Sequence, residues 1–144
     1  MTGNDFIAVA GKIAATYSDP ASCRTAISRA YYGAFHLAKT FLAEIAFEPP
    51  RNANTHVFIQ HRLAGSGQPE AVKVASLLGD LHEDRLHADY NLDNKQIETV
   101  ARARASVERA MRIQTALVEC SNTESKAVVK AGIEGYEKRI RSSS

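Results

Sequence analysis

The sequence predicts an all-α protein, an up-and-down antiparallel four-helix bundle with a short extra helix and a C-terminal helical tail. Apolar residues recur at three- and four-residue steps along most of the chain, which is the spacing that one face of an α-helix presents to a core. Strand-like alternation of β-branched residues is nearly absent. Prolines and short polar turns divide the chain into four long periodic segments and a short one, and short connections favour antiparallel neighbours.

The first two long helices are predicted on either side of the turn SDPAS. The first runs from about 4 to 17, and its inward face is expected to consist of Phe6, Val9, Ile13 and Tyr17. The second begins where Asp19 can cap it and Pro20 suits the first helical position. It continues to about Ala46, because the two prolines of FEPPRNANT cannot extend it. Its inward face is expected to consist of Cys23, Ile27, Ala30, Ala34, Leu37, Phe41 and Ile45.

The remaining segments complete the predicted bundle. HVFIQHRLA forms a short helix, Pro69 opens the third long helix to about Tyr90, and the fourth runs from about 94 to 119. The inward face of the fourth is expected to consist of Ile97, Val100, Arg104, Val107, Met111 and Val118. Residues 1–120 are thus assigned to the bundle and 121–144 to a tail. Gly132 and Gly135 weaken the helical pattern of the tail, so a marginal helix is predicted there.

Composition excludes several classes of protein. With 144 residues, 44% of them hydrophobic, the chain is long enough for one domain with a core. It has no apolar run of membrane-spanning length and no basic, signal-like start, so a cytoplasmic protein is expected. The net charge of +2 is too small to indicate nucleic-acid binding by itself.

The cysteines and histidines show no metal-binding pattern. Cys23 and Cys120 have neither metal-ligand spacing nor the density of a disulfide scaffold, and they are expected to be buried free thiols. The five histidines are scattered along the chain. Neither a metal nor a cofactor is therefore predicted.

Arg85 is the strongest candidate for a functional residue. It interrupts an apolar row on the third long helix that consists of Val74, Leu78, Leu81, Ala88 and Leu92. A guanidinium cannot be neutralised at physiological pH, so it needs a partner, a cleft or access to solvent. Asp89 lies one turn further on and His82 lies on the same side of the helix. The cluster is either an internal tie between helices or a rigid cation that receives an anion such as a phosphate.

A second group of polar residues lies opposite the apolar row of the second helix. Arg29, Tyr32 and His36 recur there at three- and four-residue steps. These residues could bind nucleic acid, with the rings stacking on bases and the cations holding phosphates. The same face could instead pack on a symmetric copy, because Gly33 would let another helix approach closely. The second interpretation is favoured.

Two phrases together resemble the HEPN domain family. They are AISRAYYGAFHLAKTFL on the second helix and RLHADY near the end of the third. They are closest to small stand-alone prokaryotic members with an S-R-x-Y-Y-x-x-F-H segment and an R-x-x-A-D-Y segment, and the resemblance covers roughly residues 5–120. It implies an up-and-down helical bundle, commonly a homodimer. It also implies an association with RNA cleavage and with toxin–antitoxin pairs whose partner is a minimal nucleotidyltransferase.

The resemblance also implies a site. In the ribonuclease members an arginine is followed a few residues later by a histidine, and two such sites meet across the dimer. Arg85 matches the arginine, but Tyr90 replaces the histidine, which counts against RNA cleavage. Any enzymatic activity would be that of a metal-independent endoribonuclease, with Arg85, Asp89, Tyr90 and, less directly, His82 at its centre. In some members a nucleotidyltransferase modifies a nearby tyrosine with AMP, and Tyr90 would be the counterpart.

Three functional hypotheses follow. The first is a HEPN-like module associated with nucleic acid, the toxin-side partner of a minimal nucleotidyltransferase. The second is a non-enzymatic, dimeric helical binding or scaffold protein in which the same residues only stabilise the bundle. The third is a nucleotide-binding partner of a transferase, which shares the Arg85 site but needs no hydrolysis. The first is favoured.

Overall fold

The computed structural model describes residues 1–143 and confirms the all-α prediction, because within those residues the chain forms helices and no strand. The α-helices are α1 Gly3–Thr16, α2 Pro20–Glu44, α3 Thr55–Gly65, α4 Pro69–Tyr90, α5 Val100–Glu119 and α6 Thr123–Ser142. A short 3-10 helix, Lys95–Ile97, lies between α4 and α5. The predicted fourth long helix therefore starts later than expected, at Val100.

Side-chain caps account for several helix starts. Thr2 and Asp5 form a capping box at the start of α1. The Asp19 carboxylate accepts a hydrogen bond from the backbone N–H of Ser22 at 3.0 Å, so Asp19 caps α2 as predicted. Hydrogen bonding by Ser22 also lowers the pKa of Asp19. Asn122 caps α6 by accepting from the N–H of Ser125 at 2.8 Å.

The chain divides into two compact units. The first consists of Met1–Leu37 and Leu77–Gln114, and the second of Ala38–Ser76 and the chain from Thr115 onward. α2, α4 and α5 each contribute one part to each unit. The candidate site described below lies in the first unit.

The first unit contains four antiparallel helical segments. α1 runs antiparallel to α2, since Gly3 faces Leu37 at one end of the contact and Ile7 faces Gly33 further along. α2 runs antiparallel to α4, because Tyr32 contacts Arg85 while Ser28, earlier in α2, contacts Asp89, later in α4. Most of the predicted inward face of α2 is buried, namely Cys23, Ile27, Ala30, Ala34, Phe41 and Ile45, while Leu37 is half-buried.

The prediction for the inward face of α1 is wrong. Val9 and Tyr17 are 46% and 55% exposed, and the buried residues are Gly3, Ile7, Ala10 and Ala14. α1 carries two apolar rows side by side, and the row with the smaller residues faces the core. The row of small residues packs against α2 because the two helices are very close where Gly3 meets Gly33. A Cβ atom at Gly33 would lie 2.7 Å from the carbonyl oxygen of Gly3.

The predicted inward face of α5 is also largely wrong. Arg104 is exposed, as are Met111 (53%) and Val118, so no arginine interrupts a buried row on this helix. The buried residues are Ala103, Ser106, Val107, Ala110, Ile113, Ala116 and Leu117. On α4, the apolar row is buried through Ala88 but Leu92 is exposed, because the helix ends at Tyr90.

The tail forms a full helix and corrects the prediction of a marginal one. α6 has 20 residues and runs antiparallel to α3 within the second unit, with Val129 and Ile133 buried. Gly132 permits the close contact, because a Cβ atom there would overlap the carbonyl oxygen of Ser66. Arg62 of α3 forms an ion pair with Glu137 at 3.4 Å. Gly132, which lowers the helix propensity of this segment, is thus required for the close packing of α6 against the end of α3.

The close contact between α1 and α2 predicts that Gly33→Ala destabilises the protein. The added methyl group meets backbone atoms that cannot move aside cheaply, so we expect a loss of about 1–3 kcal/mol in the free energy of unfolding, measured by urea denaturation. The matched control is Gly11→Ala, where a Cβ atom meets only Val107 at 3.8 Å. Alanine favours the helix at that position, so the control should gain about 0.5–1 kcal/mol. Equal effects of the two substitutions would contradict the packing described here.

Candidate functional site

Arg85 of α4 lies in a cluster of polar and aromatic side chains from α2 and α4. Only 16% of its side chain is exposed, and the guanidinium has the partners that its place in an apolar row requires. Nη2 donates hydrogen bonds to the hydroxyl oxygens of Tyr32 and of Tyr90, the latter at 3.3 Å. We refer to Arg85, Asp89, Tyr32 and Tyr90 as the Arg85 cluster.

Asp89 supplies the opposite charge. Its Oδ2 lies 3.0 Å from Nε of Arg85, which is the ion pair one turn along the helix that the sequence predicts. The hydroxyl of Ser28 donates to the same oxygen at 3.0 Å. Nε is buried and makes no hydrogen bond within residues 1–143. The contact with Asp89 is therefore a charge pair by distance, without the direction of a hydrogen bond.

Three tyrosine rings surround the Arg85 guanidinium. Its Cζ lies 5.1 Å from the ring centroids of Tyr32 and Tyr90 and 5.9 Å from that of Tyr31, all within the range of cation–π attraction. Burial alone would lower the pKa of Arg85, but Tyr32, Tyr90 and Asp89 outweigh it, and the pKa is raised. Arg85 is thus a permanent cation held in a stiff, ring-lined setting.

His82 and Tyr31 lie beside this cluster. The ring centroids of the two residues are 5.4 Å apart. Burial and, to a smaller extent, the charge of Arg85 lower the pKa of His82 from its ordinary value of 6.5. Burial raises the pKa of Tyr31 to about 12. Both side chains are therefore neutral at pH 7, and His82 has the protonation state of a general base.

The second predicted group, Arg29, Tyr32 and His36 of α2, also lies together, and Phe6 of α1 joins it. The Arg29 guanidinium lies 5.5 Å from the ring centroids of both Tyr32 and Phe6. His36 stacks on Phe6, with centroids 5.8 Å apart and ring planes 14° from parallel. Gly33 does allow another helix to approach, as predicted, but that helix is α1 of the same chain.

A shallow cleft adjoins the Arg85 cluster. It has a volume of about 280 Å³ and its lining includes Ser28, Arg29 and Asp89. This volume is just below the range of typical small-molecule pockets, about 300–1,000 Å³. The cleft is therefore an extension of the polar surface at the Arg85 cluster, with room for one small group.

Sequence reasoning missed Arg24, a buried arginine that holds the end of α4. Its guanidinium makes seven hydrogen bonds, to the Glu98 carboxylate and to the backbone carbonyls of His87, Ala88, Asn91, Leu92 and Asn94. The ion pair with Glu98 measures 2.7 Å. Arg24 follows Cys23 directly, so it flanks the apolar row of α2 without interrupting it. Its position beside that row is the only signal that the sequence contains.

The described residues also define what kinds of site are present. Within residues 1–143, no group of three or more histidine, cysteine, aspartate or glutamate side chains is arranged to hold a metal ion. Cys23 and Cys120 are buried and free, as predicted. None of the helices in residues 1–143 is both long enough and apolar enough to cross a membrane.

Comparisons with known proteins do not assign the chain to a family. No protein-family model, curated protein or solved structure matches it. The resemblance to HEPN domains therefore depends on the two phrases quoted above, and the function has to be argued from the geometry of the Arg85 cluster.

The hydrogen bonds of Arg24 predict a large effect of Arg24→Met. The substitution leaves Glu98 and several carbonyl oxygens at the end of α4 without their donor, so we expect a loss of about 3–5 kcal/mol in the free energy of unfolding in urea. Arg24→Lys should restore little of it, because one ammonium group cannot reach acceptors spread around a planar guanidinium. Arg104→Met, at an exposed position of α5, is the control and should change stability by less than about 0.5 kcal/mol.

The lowered pKa of His82 predicts a pH dependence of stability. Below pH 6.5 the unfolded chain binds a proton at this position more readily than the folded chain. The contribution of His82 to the free energy of unfolding is therefore present above the pKa of His82 in the unfolded chain. It is lost as the pH falls toward the lower pKa of His82 in the folded chain. Thermal unfolding at pH 7.5 and 5.5 should show a smaller difference for His82→Gln than for the unsubstituted protein. The control His61→Gln, on an exposed part of α3, should retain the full difference in thermal stability between the two pH values. If His82→Gln also retains it, His82 is not the source of the pH dependence.

Proposed function

We propose that the protein is a HEPN-like module that binds RNA by holding a phosphate at the Arg85 cluster. Two independent observations about Arg85 support this proposal. The phrase RLHADY places Arg85 at the arginine of the HEPN motif. Independently, Arg85 is a half-buried cation whose position is determined by rings and hydrogen bonds.

The observation that carries the proposal is that the protein engages only some of the guanidinium nitrogens of Arg85. The hydrogen bonds that Arg85 makes within residues 1–143 all come from Nη2, and Nε faces Asp89. Nη1 therefore keeps both of its N–H groups for a further acceptor. Charge-assisted hydrogen bonds from arginine to a phosphate oxygen are strong and directional, and this arginine needs little reordering to make them.

The cluster is better suited to binding than to cleavage. Tyr90 stands where the ribonuclease motif has a histidine, and a phenol lacks the ring nitrogen with which a histidine accepts a proton near neutral pH. The charge of Asp89 is engaged by Arg85 and Ser28. We therefore propose that RNA is held and not cut. Release of labelled fragments that depends on His82 would show that this part of the proposal is wrong.

The HEPN resemblance extends the proposal to partners. We propose a homodimer and a second protein of the nucleotidyltransferase class, with this chain on the toxin side of the pair and Tyr90 as the residue that receives AMP. Tyr90 is 71% exposed, so its ring is open to a partner enzyme. The mass of the pure protein in solution tests the dimer. A mass increase at Tyr90, absent in Tyr90→Phe, after incubation with ATP and a minimal nucleotidyltransferase from the same organism tests the partner.

A purely structural role is the competing function, and one observation favours it. The hydrogen bond from Arg85 to Tyr32 joins α4 to α2, so the cluster also ties two helices together. In a non-enzymatic scaffold that tie would be the whole role of Arg85. The two functions differ in what the loss of the guanidinium does to stability and to RNA affinity.

The proposal predicts that Arg85→Met reduces RNA affinity at least tenfold while the protein stays folded. Loss of a hydrogen bond to a charged group costs about 1.5–3 kcal/mol, which corresponds to roughly 10- to 150-fold in the dissociation constant. The side chain of Asp89 is 28% exposed and keeps its bond to Ser28, so the stability loss should stay near 1 kcal/mol. Fluorescence anisotropy with a labelled RNA and urea denaturation measure the two quantities.

The matched control is Arg102→Met, which removes the same charge from an ion pair with Asp84 at 3.2 Å, in which the Arg102 side chain is 43% exposed. A generic effect of charge would weaken RNA binding equally in both variants, and that result would overturn the proposed site. A loss of 3–5 kcal/mol in Arg85→Met with unchanged RNA affinity would favour the scaffold.

A further inference from the structure

The second unit contains a cavity of its own, lined by the start of α4, the end of α5 and the start of α6. Its volume is about 240 Å³, and all of its lining residues belong to the second unit. Since a water molecule takes up about 30 Å³ in the liquid, the cavity has room for roughly eight groups of that size. The Arg85 cluster lies in the first unit, so this cavity is not part of the site described above.

The buried part of the cavity lining is apolar and includes a free thiol. Cys120 and Val129 are only 4% and 2% exposed, and Pro69 and Val128 add further hydrocarbon to the wall. The thiol of Cys120 is unbonded to any other group within residues 1–143. A thiol behaves as a small hydrophobe, but its sulfur is also a weak hydrogen-bond acceptor. The lining therefore suits a hydrocarbon chain and leaves one buried acceptor for an N–H donor.

Three glutamates surround this apolar lining. Glu70 lies in the first turn of α4, Glu119 is the last residue of α5, and Glu124 lies in the first turn of α6. The described residues that line the cavity include no lysine, arginine or histidine. Lys73, one turn along α4, pairs with Glu70 at 3.7 Å, but both side chains are more than a third exposed or close to it, so the pair is weak. The cavity therefore carries an excess of negative charge.

Glu119 stands where the dipole of its own helix disfavours a carboxylate. Acidic side chains are stabilised at the start of a helix, so Glu70 and Glu124 suit their positions. The end of a helix carries a partial negative charge, and the last turn of α5 contains no basic residue. The carboxylate of Glu119 thus adds to a negative potential that its own helix does not offset.

The chemistry of Cys120 is that of a neutral thiol. Burial and, to a smaller extent, the charges of Glu70 and Glu119 raise the pKa of Cys120. The thiolate is the nucleophile and the metal ligand, so a thiol with a raised pKa is poorly suited to either role. Within residues 1–143, no group of three or more histidine, cysteine, aspartate or glutamate side chains is arranged to hold a metal ion. The three glutamates therefore do not converge on one point.

We infer that this cavity is a binding site for a short linear diamine such as 1,4-diaminobutane. Its methylene groups lie on Val128, Val129 and Cys120, and its ammonium groups lie at the surrounding glutamates. An alkylammonium combines a hydrocarbon stem with a compact cation that has three N–H donors, which matches an apolar lining with acidic surroundings. Because the glutamates are spread around the cavity, two separated cations suit them better than one. The site and its ligand both differ from those of the proposed function.

The test is a titration of the full chain with 1,4-diaminobutane at low salt, followed by isothermal titration calorimetry. 1,4-Butanediol, which has the same carbon chain without charge, should not bind. Added NaCl should weaken binding of the diamine, because salt screens charges that are partly exposed. The N-acetyl, C-amide derivative of lysine represents a lysine side chain of another protein. If it binds more tightly than the diamine, the cavity accepts a protein side chain and the diamine is wrong.

Glu119→Gln and its matched control Glu108→Gln test the location of the site. Both residues are exposed glutamates of α5, but Glu108 lies outside the cavity. Glu119→Gln should weaken binding of the diamine about two- to fivefold, the upper part of what one partly exposed ion pair contributes. Adding Glu70→Gln should weaken it further, and Glu108→Gln should bind like the unsubstituted protein. Urea denaturation of each variant shows that the fold is retained.

Three results would overturn the diamine site: no binding by the unsubstituted protein, equal binding of diamine and diol, or equal effects of Glu119→Gln and Glu108→Gln. The last would mean that the diamine is attracted only by the general charge of α5. None of these results bears on RNA binding at Arg85, so the proposed function stands or falls separately.

Discussion

The end of α4 is held in place by the buried guanidinium of Arg24. A cation removed from water is tolerated only when its donors are satisfied, and Arg24 satisfies them with Glu98 and with carbonyl groups at the end of α4 and in the turn that follows. The carbonyls of His87 and Asn91 also accept backbone N–H groups, from Asn91 and Asn94. The last turn of a helix leaves other carbonyls without an N–H partner of its own, and Arg24 supplies donors there. The same contact therefore satisfies the cation, terminates the helix and positions Asp89 and Tyr90, which lie on that last turn.

Arg24 bonds the end of α4 from α2, and Arg85 lies on α4 about one turn before that end; the two guanidinium groups differ in how many of their nitrogens are engaged. Arg24 has all three of its guanidinium nitrogens engaged. Arg85 engages Nη2 and faces a carboxylate with Nε, while Nη1 makes no bond within residues 1–143. A guanidinium whose three nitrogens are all engaged has a structural role, whereas Nη1 of Arg85 keeps N–H groups that residues 1–143 do not use. Because both residues are arginines, the difference comes from the partners that the fold places around each guanidinium.

Helix boundaries were largely predictable because they depend on local chemistry. Asp19, Pro20 and Pro69 start helices where capping and proline geometry require it. The inward face of α1 was not predictable, because the helix has two apolar rows and its close approach to α2 decides between them. Within the site, the pair Arg85–Asp89 follows from spacing along one helix. The ion pair Arg24–Glu98 and the contact of Phe6 with Arg29 join residues far apart in sequence, and no local pattern specifies them.

Tyr32 connects Arg29 to Arg85, since its ring contacts both guanidinium groups and its hydroxyl accepts a hydrogen bond from Arg85. Side chains that share a partner do not contribute independently to binding or stability. Substitutions at Arg29 and Arg85 are therefore expected to be coupled through the tyrosine that both contact. The S-R-x-Y-Y segment on α2 and the R-x-x-A-D-Y segment on α4 thus form one surface, because Tyr32 of the α2 segment accepts a hydrogen bond from Arg85 of the α4 segment.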